Sequence, residues 1–171
     1  IKMMNEVIES QVDMFVGDDQ ETKDWDVAGL SQSLFEIIPV KLEIPKSEIE
    51  HLSKAEFKQL LKEAAVKLYE AKEAEFPEPE HIRELERIVL LRVIDRKWMD
   101  HLDDMEQLKQ GIGLMAYGQR DPAVEYKIQG FEMFNDMIEG IKVETVKTLY
   151  HIQVEQKVER EEVAEVTGTN K

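Results

Sequence analysis

Residues 80–112 read EHIRELERIVLLRVIDRKWMDHLDDMEQLKQGI, with no proline and no glycine before Gly111. Leu91, Ile94, Trp98, Leu102, Met105, Leu108 and Ile112 step through it by three and four, the spacing of one helical face. Some thirty residues at about 1.5 Å each predict a rod of roughly 50 Å. GIGLMAYGQRDP (111–122) follows, with three glycines and then Asp121 before Pro122, a cap and first-turn pair that starts a new helix. That second helix runs past Tyr150, with Ile128, Phe131, Phe134, Ile138, Ile141, Thr145, Leu149 and Ile152 as its seam. Two long rods joined by a short link must lie antiparallel, so the fold is predicted to be all-α and built on a helical hairpin.

Upstream, Ile1, Met4, Ile8, Val12 and Phe15 recur at helical spacing until Gly17-Asp18-Asp19. Because the pattern is already under way at Ile1, which is not a Met, it reads as the end of a longer helix. Asp26 caps a second helix of about twelve residues with Val27, Leu30, Leu34 and Ile38 turned inward, stopped at Pro39. Residues 40–52, interrupted by Pro45, leave room for a brief extended segment. Ser53 and Glu56 form a capping box for a third helix. Its buried stripe is Phe57, Leu60, Leu61, Ala64, Leu68 and Tyr69, and Pro77 and Pro79 close it. QKVEREEVAEVTGTNK (156–171) continues no seam and reads as a charged, disordered tail.

Composition narrows the function. The 171 residues carry a net charge of -15, which argues against nucleic acid and against a general affinity for anionic lipid. The acidity is concentrated early, with 18 acidic and 9 basic residues in 1–79 against 14 and 10 in 80–150. There is no cysteine, hence no disulfide, thiolate nucleophile or Cys-ligated zinc. No apolar run has the length of a membrane span.

Candidate chemistry is sparse. Glu48/His51 and Glu78/His81 have the Glu-x-x-His spacing of di-iron bundles, yet each sits beside a proline and lacks the further inward glutamates such a site needs. His101 lies beside the seam with no Ser or Cys nucleophile, so its expected role is packing in the hairpin. Asp100, Asp103, Asp104 and Glu106 read as a solvated face. No phosphate-binding loop occurs, so the expected cofactor set of this chain is empty, with no metal and no catalytic group. The link between the rods is different. Leu114, Met115, Tyr117, Gln119 and Arg120 put apolar and aromatic groups where turns usually carry small polar ones, which predicts a contact surface.

From Glu86 to Phe134 the sequence resembles the C-terminal region of the SecA family, the bacterial preprotein translocase ATPases. The residues carrying the resemblance are D-x-x-W-x-x-H-L (Asp95, Trp98, His101, Leu102), Q-G-I (Gln110 to Ile112), Y-x-Q-x-D-P (Tyr117 to Pro122) and Glu125-Tyr126. DWDVAGL around Trp25 is similar to the family's helical wing. Two departures stand out: Met115 occupies a position that is commonly arginine, and Lys109 replaces the arginine of R-Q-G-I.

The resemblance implies four parts: residues 1–16 as the end of a long scaffold helix, 17–79 as the helical wing, 80–153 as the two-helix finger, and 154–171 as the tail. It implies that the finger tip, with Leu114, Met115, Tyr117, Gln119 and Arg120, meets the unfolded preprotein and the mouth of the SecYEG channel. The scaffold would couple those contacts to nucleotide-binding domains that hold ATP and Mg elsewhere in a parent chain. Trp98, His101, Leu102, Phe131 and Phe134 are expected to hold the finger closed. The implied location is cytoplasmic, peripheral at the inner face of the bacterial cell membrane. Seams meant for other domains also predict self-association. The competing reading is a non-enzymatic helical adaptor that binds a partner helix along the hairpin.

Overall fold

A computed structural model describes residues 1–17, 24–41, 49, 51–113 and 121–153. It contains five helices in chain order: α1 (Lys2–Phe15), α2 (Val27–Ile37), α3 (Lys54–Glu73), α4 (Pro79–Ile112) and α5 (Pro122–His151), and no strand among the described residues. Three caps stand where the sequence puts them. The Asp26 side chain accepts from Gly29 N at 2.9 Å. Ser53 Oγ accepts from Glu56 N at 3.2 Å while Glu56 Oε2 accepts from Ser53 N at 2.8 Å, a complete capping box. Asp121 Oδ1 accepts from Ala123 N at 2.8 Å, with Pro122 opening α5.

The main core is built around α1. Met4, Val7, Ile8 and Val12 face Leu30, Leu34 and Ile37 of α2, Phe57, Leu61 and Ala65 of α3, and Val146 and Tyr150 of α5. On α3 the expected stripe holds at Phe57 and Leu61, with Ala64, Leu68 and Tyr69 part-buried against the same core, and departs at two positions. Ala65 is buried and Leu60 is exposed, because α1 meets the face through Phe57, Leu61 and Ala65 at strict four-residue steps. Trp25 packs its ring 5.6 Å from that of Phe57, which fixes the start of α2 against α3.

Polar bonds locate the same helices. Ser33 Oγ donates to Gln11 Oε1 at 2.6 Å, joining α2 to α1. Asp13 sits 2.6 Å from Lys54 Nζ and 2.7 Å from Lys58 Nζ, Lys62 pairs with Glu9, and Lys142 of α5 reaches Glu6 at 2.9 Å. Hydrogen bonds from Lys54 and Lys58 hold the Asp13 carboxyl below the usual carboxylate range. Their carboxylates are exposed while the lysine stems are part-buried, so they set register more than they add stability.

Gly29 sits where the cap and α1 converge. A Cβ there would collide with the Asp26 carboxylate and lie 2.9 Å from Phe15 Cε1. Gly29→Ala is therefore expected to destabilise the protein by about 1–2 kcal/mol through loss of the cap, despite alanine's better helix propensity. Urea denaturation followed by helical circular dichroism would measure it; equal or higher stability would contradict the close approach.

Candidate functional site

The hairpin is formed by the two longest helices among the described residues. α4 is 34 residues and α5 30 residues long, each opened by a proline at its first turn. They run antiparallel: Met105 meets Gly130, His101 meets Phe134, and Lys97 meets Gly140 and Glu144, so each step back along α4 is a step forward along α5. A Cβ at Gly130 would lie 3.0 Å from Met105 Cε, so the end of the Met105 side chain packs over the glycine. Arg96 and Lys97 both pair with Glu144, Lys97 at 3.2 Å.

At the base, Val89 and Val93 of α4 pack with Met137 and Ile141 of α5, flanked by Leu85, Leu90, Ile138 and Leu149. Hydrogen bonds tie that base to the body. Tyr150 Oη, buried and raised in pKa by that burial, donates to Ala65 O at 2.8 Å and lies 2.8 Å from Met4 Sδ. Its ring meets Tyr69 edge-on at 5.5 Å. Tyr69 Oη donates to Glu86 Oε1 at 2.6 Å, and Arg83 bridges Glu73 and Glu86. Lys72 Nζ donates to Tyr150 O at 3.0 Å and to Ile152 O, so α3 caps the C-terminal end of α5. The hairpin thus leaves the body through bonds from α3 to both of its helices.

The seam within the hairpin corrects the sequence expectation. Trp98 and Leu102 are each 45% exposed, Phe134 41% and Phe131 67%, while His101 is 8% exposed. His101 does close the pair. Its ring lies 5.9 Å from Phe134 across the hairpin and 5.8 Å from Trp98 on its own helix. Leu102 and Phe131, with Leu91, Ile94 and Ile128, line exposed faces. The reason is that α4 carries two apolar stripes, and periodicity identifies both without saying which one α5 covers. On α5 the half of the seam near the body, Ile141 and Thr145, is buried as expected.

The tip residues Leu114, Met115, Tyr117, Gln119 and Arg120 lie outside the described residues, as do Glu48 and the tail 154–171. Of the Glu-x-x-His pairs, Glu78 is the N-cap of α4 and His81 is exposed at its first turn. Among the described residues no group of three His, Asp or Glu side chains is placed to hold a metal ion. No helix among them is long and apolar enough to cross a membrane. The residues that sequence reading did not single out are Val89 and Val93 at the hairpin base and Lys72 and Glu86 at its junction. The valines left a four-residue signal; the polar junction left none.

A small helical body tied through α3 to both helices of a long hairpin has the form of a scaffold module. Residues 1–153 match the family described as the SecA Wing and Scaffold domain. The chain is 60% identical over 171 residues to the protein translocase subunit SecA of Lachnoclostridium phytofermentans, covering 99% of the chain and 20% of that protein. Against the Clostridium novyi subunit it is 46% identical over 169 residues, again 99% and 20%. Against the SecA 1 subunit of Alkaliphilus metalliredigens it is 44% identical over 164 residues, covering 96% and 18%. The chain belongs to the SecA family, as a wing and scaffold region, and spans about a fifth of the length of the curated relatives it matches.

Proposed function

We propose that this chain is the wing and scaffold part of an ATP-driven protein translocation motor, with the hairpin acting as its finger. Residues 1–16 serve as the end of the scaffold helix, 17–79 as the wing and 80–153 as the finger. The tip residues Leu114, Met115, Tyr117, Gln119 and Arg120 touch the translocating preprotein and the SecYEG channel. The body relays those contacts to nucleotide-binding domains, which hold ATP and Mg outside this sequence. The site of work is the inner face of the cell membrane, reached through the channel.

The observation that carries this reading is the rooting of the hairpin. Both helices are tied to α3 through Tyr69, Lys72, Glu86 and Tyr150, so a displacement of the body moves the hairpin as a lever. A tip that must meet many sequences favours adaptable Met and aromatic groups over a shaped pocket. The test is a photoreactive residue at position 117 in a full-length SecA carrying this sequence, stalled during translocation. Adducts to the moving polypeptide or the channel are expected, and Tyr117→Ala is expected to slow translocation without loss of helicity. Adducts confined to the protein itself, with normal translocation by the alanine variant, would sink the finger reading.

The exposed stripe of Leu91, Ile94, Trp98 and Leu102 favours a second reading, an adaptor that binds a partner helix along the hairpin flank. Under it, Leu102→Asp would abolish function while tip substitutions would be silent.

A further inference from the structure

On the flank of the hairpin α4 and α5 part to leave a cleft of about 290 Å³. Asp100 and Asp104 of α4 and Asp136 of α5 converge on it, and the floor includes His101, Met133 and Met137. We propose that this notch receives an arginine side chain from a basic segment of a partner polypeptide.

Three observations carry the assignment. Asp100, Asp104 and Asp136 are exposed, and among the described residues none has an ion-pair partner, whereas Glu6, Glu9, Asp13, Glu84 and Glu144 all do. The only cation lining the cleft, Lys97, has its Nζ 3.2 Å from Glu144 and is already engaged. Three carboxylates from two helices therefore face one opening with a single, committed positive charge.

The second observation is His101. It is 92% buried, being 8% exposed, it lines the cleft, and among the described residues its imidazole has ring contacts but no hydrogen bond. Lining the cleft without a protein partner, the imidazole keeps a nitrogen that an incoming donor can meet.

The third is shape. Gly140 keeps one wall low, and Met133 and Met137 give an apolar lining that suits a methylene stem. A guanidinium adds a flat donor fork that can bridge two carboxylates and lie against an aromatic ring, which an ammonium cannot do as well. A bare divalent cation fits less well, because the described acidic and histidine groups do not form a metal-holding set. The notch is separate from the hairpin tip, and the assignment does not rest on the translocation reading.

The test uses the 171-residue chain with its methionine methyl groups labelled for NMR, titrated with N-acetyl-arginine methylamide. Saturable shifts at the Met133 and Met137 methyls are expected, with the corresponding norleucine derivative inert and the lysine derivative weaker. Neutralising the notch with Asp100→Asn, Asp104→Asn and Asp136→Asn together should weaken the arginine probe by about tenfold or more. Should the triple variant misfold, Asp104→Asn alone carries the comparison through a smaller loss. Equal shifts from norleucine, binding unchanged by neutralisation, or displacement of the probe by an equal concentration of Mg²⁺ would each overturn the assignment.

Discussion

Replacing Phe57 with alanine is expected to lower the unfolding free energy by about 3–5 kcal/mol, the range for deleting a fully buried aromatic side chain. Phe57 has no exposed surface and is the largest of the fully buried side chains. It stands where α1, α2 and α3 meet, one turn before Leu61 on α3 and 5.6 Å from the Trp25 ring. Part of the cost is apolar area returned to water. The rest is the cavity, because Ile8 on α1 and Leu30 on α2, with Trp25 just ahead of α2, are fixed by their own packing and cannot all close on the space. Phe35→Ala is the control: the side chain is 47% exposed on α2, so its loss should shift stability by about 0.5 kcal/mol or less. Urea titration of both variants, read by helical circular dichroism and Trp25 fluorescence, makes the comparison. Similar losses for the two would mean that α2 turns a different face to the core.

The core around Phe57 was legible in the sequence for definite reasons. Val12, Leu30, Leu34, Ile38 and Phe57 each fall on the one apolar stripe their helix has, and the caps at Asp26, Ser53 and Asp121 have side-chain chemistry that works locally. The hairpin also followed from local signals, namely an uninterrupted rod, a glycine-rich link and an Asp-Pro restart. What did not follow was the rotation of α4 about its own axis. Val89 and Val93 compete with Leu91, Ile94, Trp98 and Leu102 at nearly the same period, and only the path of α5 decides between them. The two candidate surfaces show the same limit in another form. Asp100 and Asp104 look like a solvated face in the sequence, and Asp136 lies thirty-odd residues away; the antiparallel pairing is what brings them to one cleft with His101.

Placing a charge at the true seam should therefore open the hairpin, and placing one at the apparent seam should not. Ile141 is 8% exposed and packs with Val89, Val93 and Met137. Ile141→Asp would bury a carboxylate in an apolar cluster, an uncompensated charge costing about 3–5 kcal/mol. Lys97 is held by Glu144 and would have to leave that pair to compensate. The cheaper response is for the upper part of α4 and α5 to separate, so that water reaches the carboxylate. Spin labels at Asp103 and Glu132, both exposed and on facing stretches of the two helices, would report it as a longer and broader distance distribution. Phe131→Asp puts the same charge at a side chain that is 67% exposed, so it should leave that distribution narrow. If Phe131→Asp spread the labels and Ile141→Asp did not, the helices would be meeting through the stripe that periodicity alone had indicated. A hairpin loosened at Ile141 but still rooted by Tyr69 and Tyr150 would also separate two roles in the lever reading. Translocation should fail in that variant even with Tyr117 intact, because a tip contact transmits force only through a closed stem.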